Sequence, residues 1–168
     1  MASTISNATL TTTVEEFIVL NGKQYGGKNE VKISGINEID TRIVTIPAST
    51  ESGLMSFVSG SQSLSAGTYR NENVKYIRIT NLDDTNYCAV RVLNTDGDTF
   101  EIQLDAGKSF FLGNTRLNTP SIEDYVDPED YVAFGYVDAL NSEDIDAQEI
   151  RVEANTNSVD LEYLIALT

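Results

Sequence analysis

The side chains of this 168-residue chain that could carry chemistry are mostly carboxylates. Between Ser121 and Glu149 stand ten of them and no Lys or Arg: Glu123, Asp124, Asp127, Glu129, Asp130, Asp138, Glu143, Asp144, Asp146 and Glu149. Loop carboxylates are hard oxygen donors of the kind that bind Ca²⁺. Their order does not follow an EF-hand loop, and a run of like charge is ordinarily a solvated segment. The expectation for residues 121–149 is therefore a solvated acidic loop, with calcium binding left open. Asn94, Asp96 and Asp98 alternate like the opening half of a calcium loop. Asp105 stands where the closing Glu would be, however, and Asp96-Gly97 supplies the positive φ angles of a two-residue hairpin turn. The hairpin reading is taken. Paired carboxylates can hydrolyse glycosides, but nothing singles out a pair among the 26 acids. The eight tyrosines, Tyr25, Tyr69, Tyr76, Tyr87, Tyr125, Tyr131, Tyr136 and Tyr163, could stack on sugars. Without any Trp they are read instead as core edge and protein interface, where Tyr is enriched.

Composition removes other chemistries. The chain has no His, so Ser-His-Asp and Cys-His catalysis and His-ligated zinc are excluded. The single cysteine, Cys88, cannot close an internal disulfide. It falls on the inward side of an alternating segment and lacks the basic neighbour that a reactive thiolate needs, so it reads as a small core residue. The net charge of −15 opposes binding to nucleic acid and to anionic lipid. No apolar stretch approaches the ~20 residues of a membrane helix. Met1 to Ser6 has neither a basic region nor an apolar run, and the expectation is a protein made in a cytoplasm without a secretory signal. No catalytic, cofactor-binding or metal-binding residues are assigned, and the expected activity is non-enzymatic.

The elements that would position these residues are strands. Period-2 alternation bounded by Gly and Asn/Asp clusters recurs along the chain. Thr9 to Leu20 reads as a first strand bent near Glu15-Glu16. Asn21-Gly22 begins a turn running through Gly26-Gly27, and Asn29 to Ile33 returns. Arg42 to Pro47 is a further strand. Ser52 to Ser59 fits either a helical turn or a strand. From Lys75 to Leu112 the alternation is clearest: Ile77 and Ile79, then Cys88, Val90 and Val92, then Phe100, Ile102 and Leu104. These read as a β-meander of three or four strands. Residues 113–129 read as a long loop and Tyr131 to Val137 as a strand. Asn141 to Ala147 is an acidic turn, Glu149 to Glu153 a strand, Asn155 to Asn157 a turn, and Val159 to Leu167 a final strand. Eight to ten short strands at near-regular spacing predict an all-β, single-domain β-sandwich, with an eight-stranded jelly roll as first choice. The organisation expected is an N-terminal arm over residues 1–10 and one sandwich domain over 11–168.

Several segments carry a resemblance. They are Tyr76-Ile77-Arg78-Ile79-Thr80-Asn81-Leu82-Asp83-Asp84, Leu104-Asp105-Ala106-Gly107-Lys108-Ser109-Phe110, the opening Met1 to Ser6, the strand Arg42 to Pro47 and the close Val159 to Ala166. Together they resemble small virion structural proteins of marine tailed phages, especially cyanophages. The resemblance weakens across 113–150. It implies a capsid decoration or cement protein on the outer capsid surface, bound to the major capsid protein or another virion protein. It also implies a homo-oligomer, with a trimer favoured. The bent first strand and the 1–10 arm are the expected contacts. An acidic chain would be repelled by packaged DNA, which favours an outward position. Sea water shortens the Debye length to about 4 Å and screens its self-repulsion. Two other readings stay open: a tail, fibre or adsorption-apparatus component binding another virion protein or a host glycan, and a calcium-dependent carbohydrate-binding module.

Overall fold

The computed structural model describes residues 7–58, 60, 63–94, 99–113, 116–117, 132–133 and 147–168. The described residues form fifteen strands. The first four are β1 (Ala8–Glu15), β2 (Ile18–Leu20), β3 (Lys23–Tyr25) and β4 (Lys28–Ile36). Next come β5 (Glu38–Ile46), β6 (Ser52–Val58), β7 (Thr68–Arg70), β8 (Val74–Asn81), β9 (Cys88–Asn94), β10 (Thr99–Leu104) and β11 (Ser109–Gly113). The last four are β12 (Arg116–Leu117), β13 (Val132–Ala133), β14 (Ala147–Ala154) and β15 (Val159–Leu167). Only a 3₁₀ turn, Asn71–Asn73, interrupts the all-β pattern, so no described helix is long enough to cross a membrane.

Two sheets make the sandwich. One runs in the order β11-β8-β15-β5, the other β10-β9-β14-β6-β7. The pairing has a simple logic. β5 pairs antiparallel with β15, β6 with β14, β8 with β11, and β9 with β10. These eight strands are thus one long hairpin, first with last and second with second-to-last, whose tip lies between β9 and β10. Rolling that hairpin adds the β15–β8 and β14–β9 pairs and closes each sheet. This is jelly-roll topology, and it bears out the expected sandwich. The Asp96-Gly97 turn lies outside the described residues, between the paired ends Leu93 of β9 and Thr99 of β10. Short β7 adds a parallel edge strand beside β6.

The alternation read from sequence is the alternation of the core. Ile77, Ile79, Cys88, Val90, Val152, Leu161, Tyr163 and Ile165 point between the sheets and are all but inaccessible to solvent. Each large apolar side chain so buried contributes about 1.5–3 kcal/mol. One expectation fails. Lys75 to Leu112 is not a meander: β8 and β11 lie in the four-stranded sheet, β9 and β10 in the other. The physical reason is the Asn81–Tyr87 connection. Asn81, fully buried, donates its Nδ2 to the carbonyls of Asn86 (2.9 Å) and Leu104 (3.1 Å) and accepts the Asp83 amide on Oδ1 (3.0 Å). It ties both crossings between the sheets into one knot. Ser52 to Ser59 resolves as strand β6, and residues 23–25, read as turn, form strand β3. The loop, strand and acidic turn expected between 113 and 146 lie outside the described residues, apart from the paired β12 and β13.

The first strand bends where expected, between Glu15 and Ile18. β1 pairs with β4 and β2 with β3, so residues 8–36 form one long ribbon rather than part of either main sheet. Asn21 (φ 51°) and Gly22 (φ 75°) both take left-handed angles, as a two-residue turn between paired strands demands. At the bend Gly26 has φ 105°, and a Cβ there would collide with the Glu16 carbonyl.

Candidate interaction surface

The two outward sheet faces differ in kind. On the five-stranded sheet, Arg91 and Arg151 are cross-strand neighbours on β9 and β14. Arg91 bonds Glu51 (2.5 Å) and Glu101 (2.6 Å), and Arg151 bonds Glu51 (3.2 Å) and Glu149 (2.9 Å). These five side chains, two positive and three negative, form one ion-pair network across that face. Glu149 is the one carboxylate of the acidic run that falls in a described strand, and Arg151 holds it; the other nine lie outside the described residues.

The four-stranded sheet turns a mixed face outward, polar around Thr45, Thr80, Ser109, Asp160 and Glu162 and more apolar toward the ribbon. The cross-strand register aligns Phe111, Arg78, Leu164 and Thr41 in one row, and Gly113, Tyr76, Ala166 and Ile39 in the next. Ile43 sits beside Glu162, which is paired with Arg78 at 2.5 Å. The base of the ribbon packs here: Ile33 and Ile36 are buried against Ala166, with Leu10, Val31 and Tyr76 around them. Beyond this contact a groove of about 330 Å³ opens between β1 and the sheet, lined by Leu10, Val14, Tyr76, Arg78, Phe111 and Leu164 among others.

The ribbon then carries its apolar side chains into solvent. Phe17 is 71% exposed, and Ile18, Val19 and Leu20 are each 57% exposed. Ile18 faces Tyr25 across the hairpin and Leu20 faces Lys23, whose ammonium lies 5.4 Å from the Tyr25 ring. Nine of the twelve exposed large apolar side chains among the described residues belong to the ribbon or to this sheet face: Val14, Phe17, Ile18, Val19, Leu20, Tyr25, Ile39, Ile43 and Phe111. Concentration of apolar surface on an otherwise charged molecule marks an interaction site. The bent first strand was a candidate contact from its sequence. Ile39, Ile43 and Phe111 were not, because each alternates like a core residue. The available signal was the uninterrupted run Phe17-Ile18-Val19-Leu20, which leaves both faces of a strand apolar.

One polar cluster resembles a reaction site. Tyr69 donates to Asp40 (2.6 Å) and lies 3.3 Å from the Tyr163 hydroxyl, while Arg42 grips both Asp40 oxygens at 3.2 and 2.9 Å. Burial and the Asp40 carboxylate push the Tyr69 phenol far above its ordinary pKa. Burial opposes ionisation of Asp40, but the bonds from Tyr69 and Arg42 outweigh it and hold the carboxyl below its usual value. A phenol kept protonated is the reverse of an activated base or nucleophile. Asp40 and Arg42 project inward from β5, an edge strand of its sheet, where such charges discourage foreign strand pairing. Cys88 is buried at the inward position expected, and burial pushes its thiol up to about 11. Of the tyrosines, Tyr69 and Tyr163 are core, Tyr25, Tyr76 and Tyr87 reach the surface at separate places, and Tyr125, Tyr131 and Tyr136 lie outside the described residues. Among the described residues no three Cys, Asp or Glu side chains converge as a metal site.

Fold and surface together define a jelly-roll β-sandwich with a projecting hairpin ribbon. No family model matches the chain, and neither curated proteins nor solved structures yield a match.

Proposed function

We propose that this chain is a non-enzymatic structural protein of a phage virion, a decoration or cement subunit on the outer capsid surface. It acts by adhesion within a homo-oligomer and takes the major capsid protein or another virion protein as partner. The observation that carries the adhesive mode is the segregation of the surface: one sheet face laced by ion pairs, the other bearing exposed Ile39, Ile43 and Phe111 and continuous with a ribbon whose tip is apolar. The virion setting is supported by the resemblance of the Tyr76–Asp84, Leu104–Phe110 and Val159–Ala166 segments and, as an analogy of fold alone, by the recurrence of jelly rolls in viral capsid domains. The net charge of −15 fits an outward position, away from packaged nucleic acid.

The test is a density map of intact particles of the encoding phage, with this domain fitted. Density on the capsid lattice is the expected result. Density confined to the tail or its fibres would transfer the chain to the adsorption apparatus, where the same surface would bind another tail protein or a host glycan. Absence from particles would overturn the virion reading.

A further inference from the structure

The ribbon tip and the groove are complementary, and both stand open on one chain. A two-stranded hairpin is at best marginally stable by itself. Here β2 and β3 expose apolar side chains on both faces, so the tip gains most from a site that encloses it. The groove under β1 is such a site: apolar at Leu10, Val14, Phe111 and Leu164, and roomy enough for apolar side chains. The chain's own tip lies beyond the bend of the ribbon and stays exposed, so it does not fill the groove.

Charge decides what else can approach. Residues 8–36 hold three Lys and three Glu, so the ribbon is neutral and the whole charge of −15 resides elsewhere. From Phe17 to Gly27 the one charged side chain is Lys23. Two bodies of net charge −15 repel each other overall, but a lysine-bearing tip on a neutral ribbon can meet an acidic copy at less cost.

Area decides between modes of assembly. At ~200 Å² for a large apolar residue, the tip side chains expose about 600 Å² and the sheet face about 350 Å². Reciprocal exchange between two copies would cover both sets twice, roughly 2,000 Å², within the span of a stable specific interface. A ring of three, the stoichiometry the resemblance implies, would place one tip-and-groove contact of about 1,000 Å² in each interface, below that span.

We infer that two copies of this chain exchange their ribbons, the Phe17–Leu20 tip of each seating in the groove between β1 and the four-stranded sheet of the other. The dimer is isologous: the same tip and the same groove on both partners. Ile39 and Ile43 adjoin the seated tip, and Lys23 reaches the partner's acidic surface. The inference rests on the ribbon and sheet face being an interaction surface. It does not depend on which particle, if any, carries the dimer, and purified protein tests it separately from the particle map.

The experiment is sedimentation equilibrium of the full chain, with Phe17→Asp at the tip and Phe111→Asp in the groove as variants. Both residues are more than half exposed in the single chain, so both variants should fold, with far-UV circular dichroism and melting in dilute solution as the control. The wild type should be dimeric, and each variant should weaken the dimer by roughly 100-fold, as loss of a central anchor does. An equimolar mixture of the two variants should form heterodimers more readily than either variant forms homodimers, because the mixed pair keeps one tip and one groove intact and opposed and puts both substitutions into the other contact. A monomeric or trimeric wild type overturns the inference. So does a dimer that survives both substitutions, or a mixture that forms heterodimers no more readily than either variant forms homodimers.

Discussion

Asn81 offers a direct test of how the two sheets are joined. It is the one polar side chain counted in the buried core of the described residues, and it serves three backbone groups from two separate connections. Replacing it with Leu keeps the branching of the side chain, with bulkier methyl ends, and removes all three bonds. The Asn86 carbonyl and Asp83 amide are part-buried and can turn to water, so each bond lost costs about 1 kcal/mol. The Leu104 carbonyl is buried, with the weak Cys88 thiol at 3.9 Å beside it, so the loss of this bond costs about 1–3 kcal/mol. Added apolar contact returns some of this, and the expected net loss is about 3 kcal/mol. For a domain of this size that lowers the melting temperature by roughly 6–12 °C. Urea titration is the assay, and the midpoint should fall while the slope stays constant. Thr85→Ala, an exposed change in the same turn, should stay within about 0.5 kcal/mol. If Asn81→Leu costs under about 1 kcal/mol, the crossings are held by something other than this knot, and the account of why β8 and β9 part into different sheets is wrong.

Four further outcomes are expected. Cys88 should resist thiol reagents at pH 8 and react at the rate of unfolding, since burial both hides it and holds the thiol up to about 11; rapid labelling of folded protein would contradict its place in the core. Asp83 is held below 3.8 by the amides of Asn86 and Thr85, and Asp40 below 3.8 by Tyr69 and Arg42 against its burial. Depressed carboxylates add stability above their unfolded pKa and lose it as pH falls through the folded value, so the urea midpoint should drop below about pH 4, less steeply in Asp83→Asn. At the other extreme the raised Tyr69 adds stability that is whole below its unfolded value of 10.0 and lost as pH rises beyond it; Tyr69→Phe should flatten that alkaline slope. Calcium should leave the melting temperature unmoved, whereas a rise with calcium concentration would support the carbohydrate-binding module, because a ligand of the folded state alone stabilises it.

Much of this molecule was written locally. Period-2 alternation located β8, β9, β10, β14 and β15 within a residue or two, because each buries one face and exposes the other. Asn21-Gly22 marked a turn and Glu15-Glu16 a bend because those features arise from backbone preferences of neighbouring residues. Charge and the lack of His excluded whole chemistries without any coordinates. Strand pairing was another matter. A polar run such as Asn81 to Asn86 looks the same whether it reverses within one sheet or crosses to the other. What sends it across is a side-chain knot closed by Leu104, 23 residues away.

The surface follows the same division. The sequence by itself determined that the chain would be an acidic, all-β sandwich with one bent leading strand, since those properties are sums over residues or features of short windows. Only the tertiary structure decided that Ile39, Ile43 and Phe111 face outward. Alternation tells that residues share a face, but which face is buried depends on where the second sheet lies. It likewise took the long-range pairing of β5 with β15 to leave residues 8–36 outside both sheets, turning a run of four apolar residues from core material into an exposed tip.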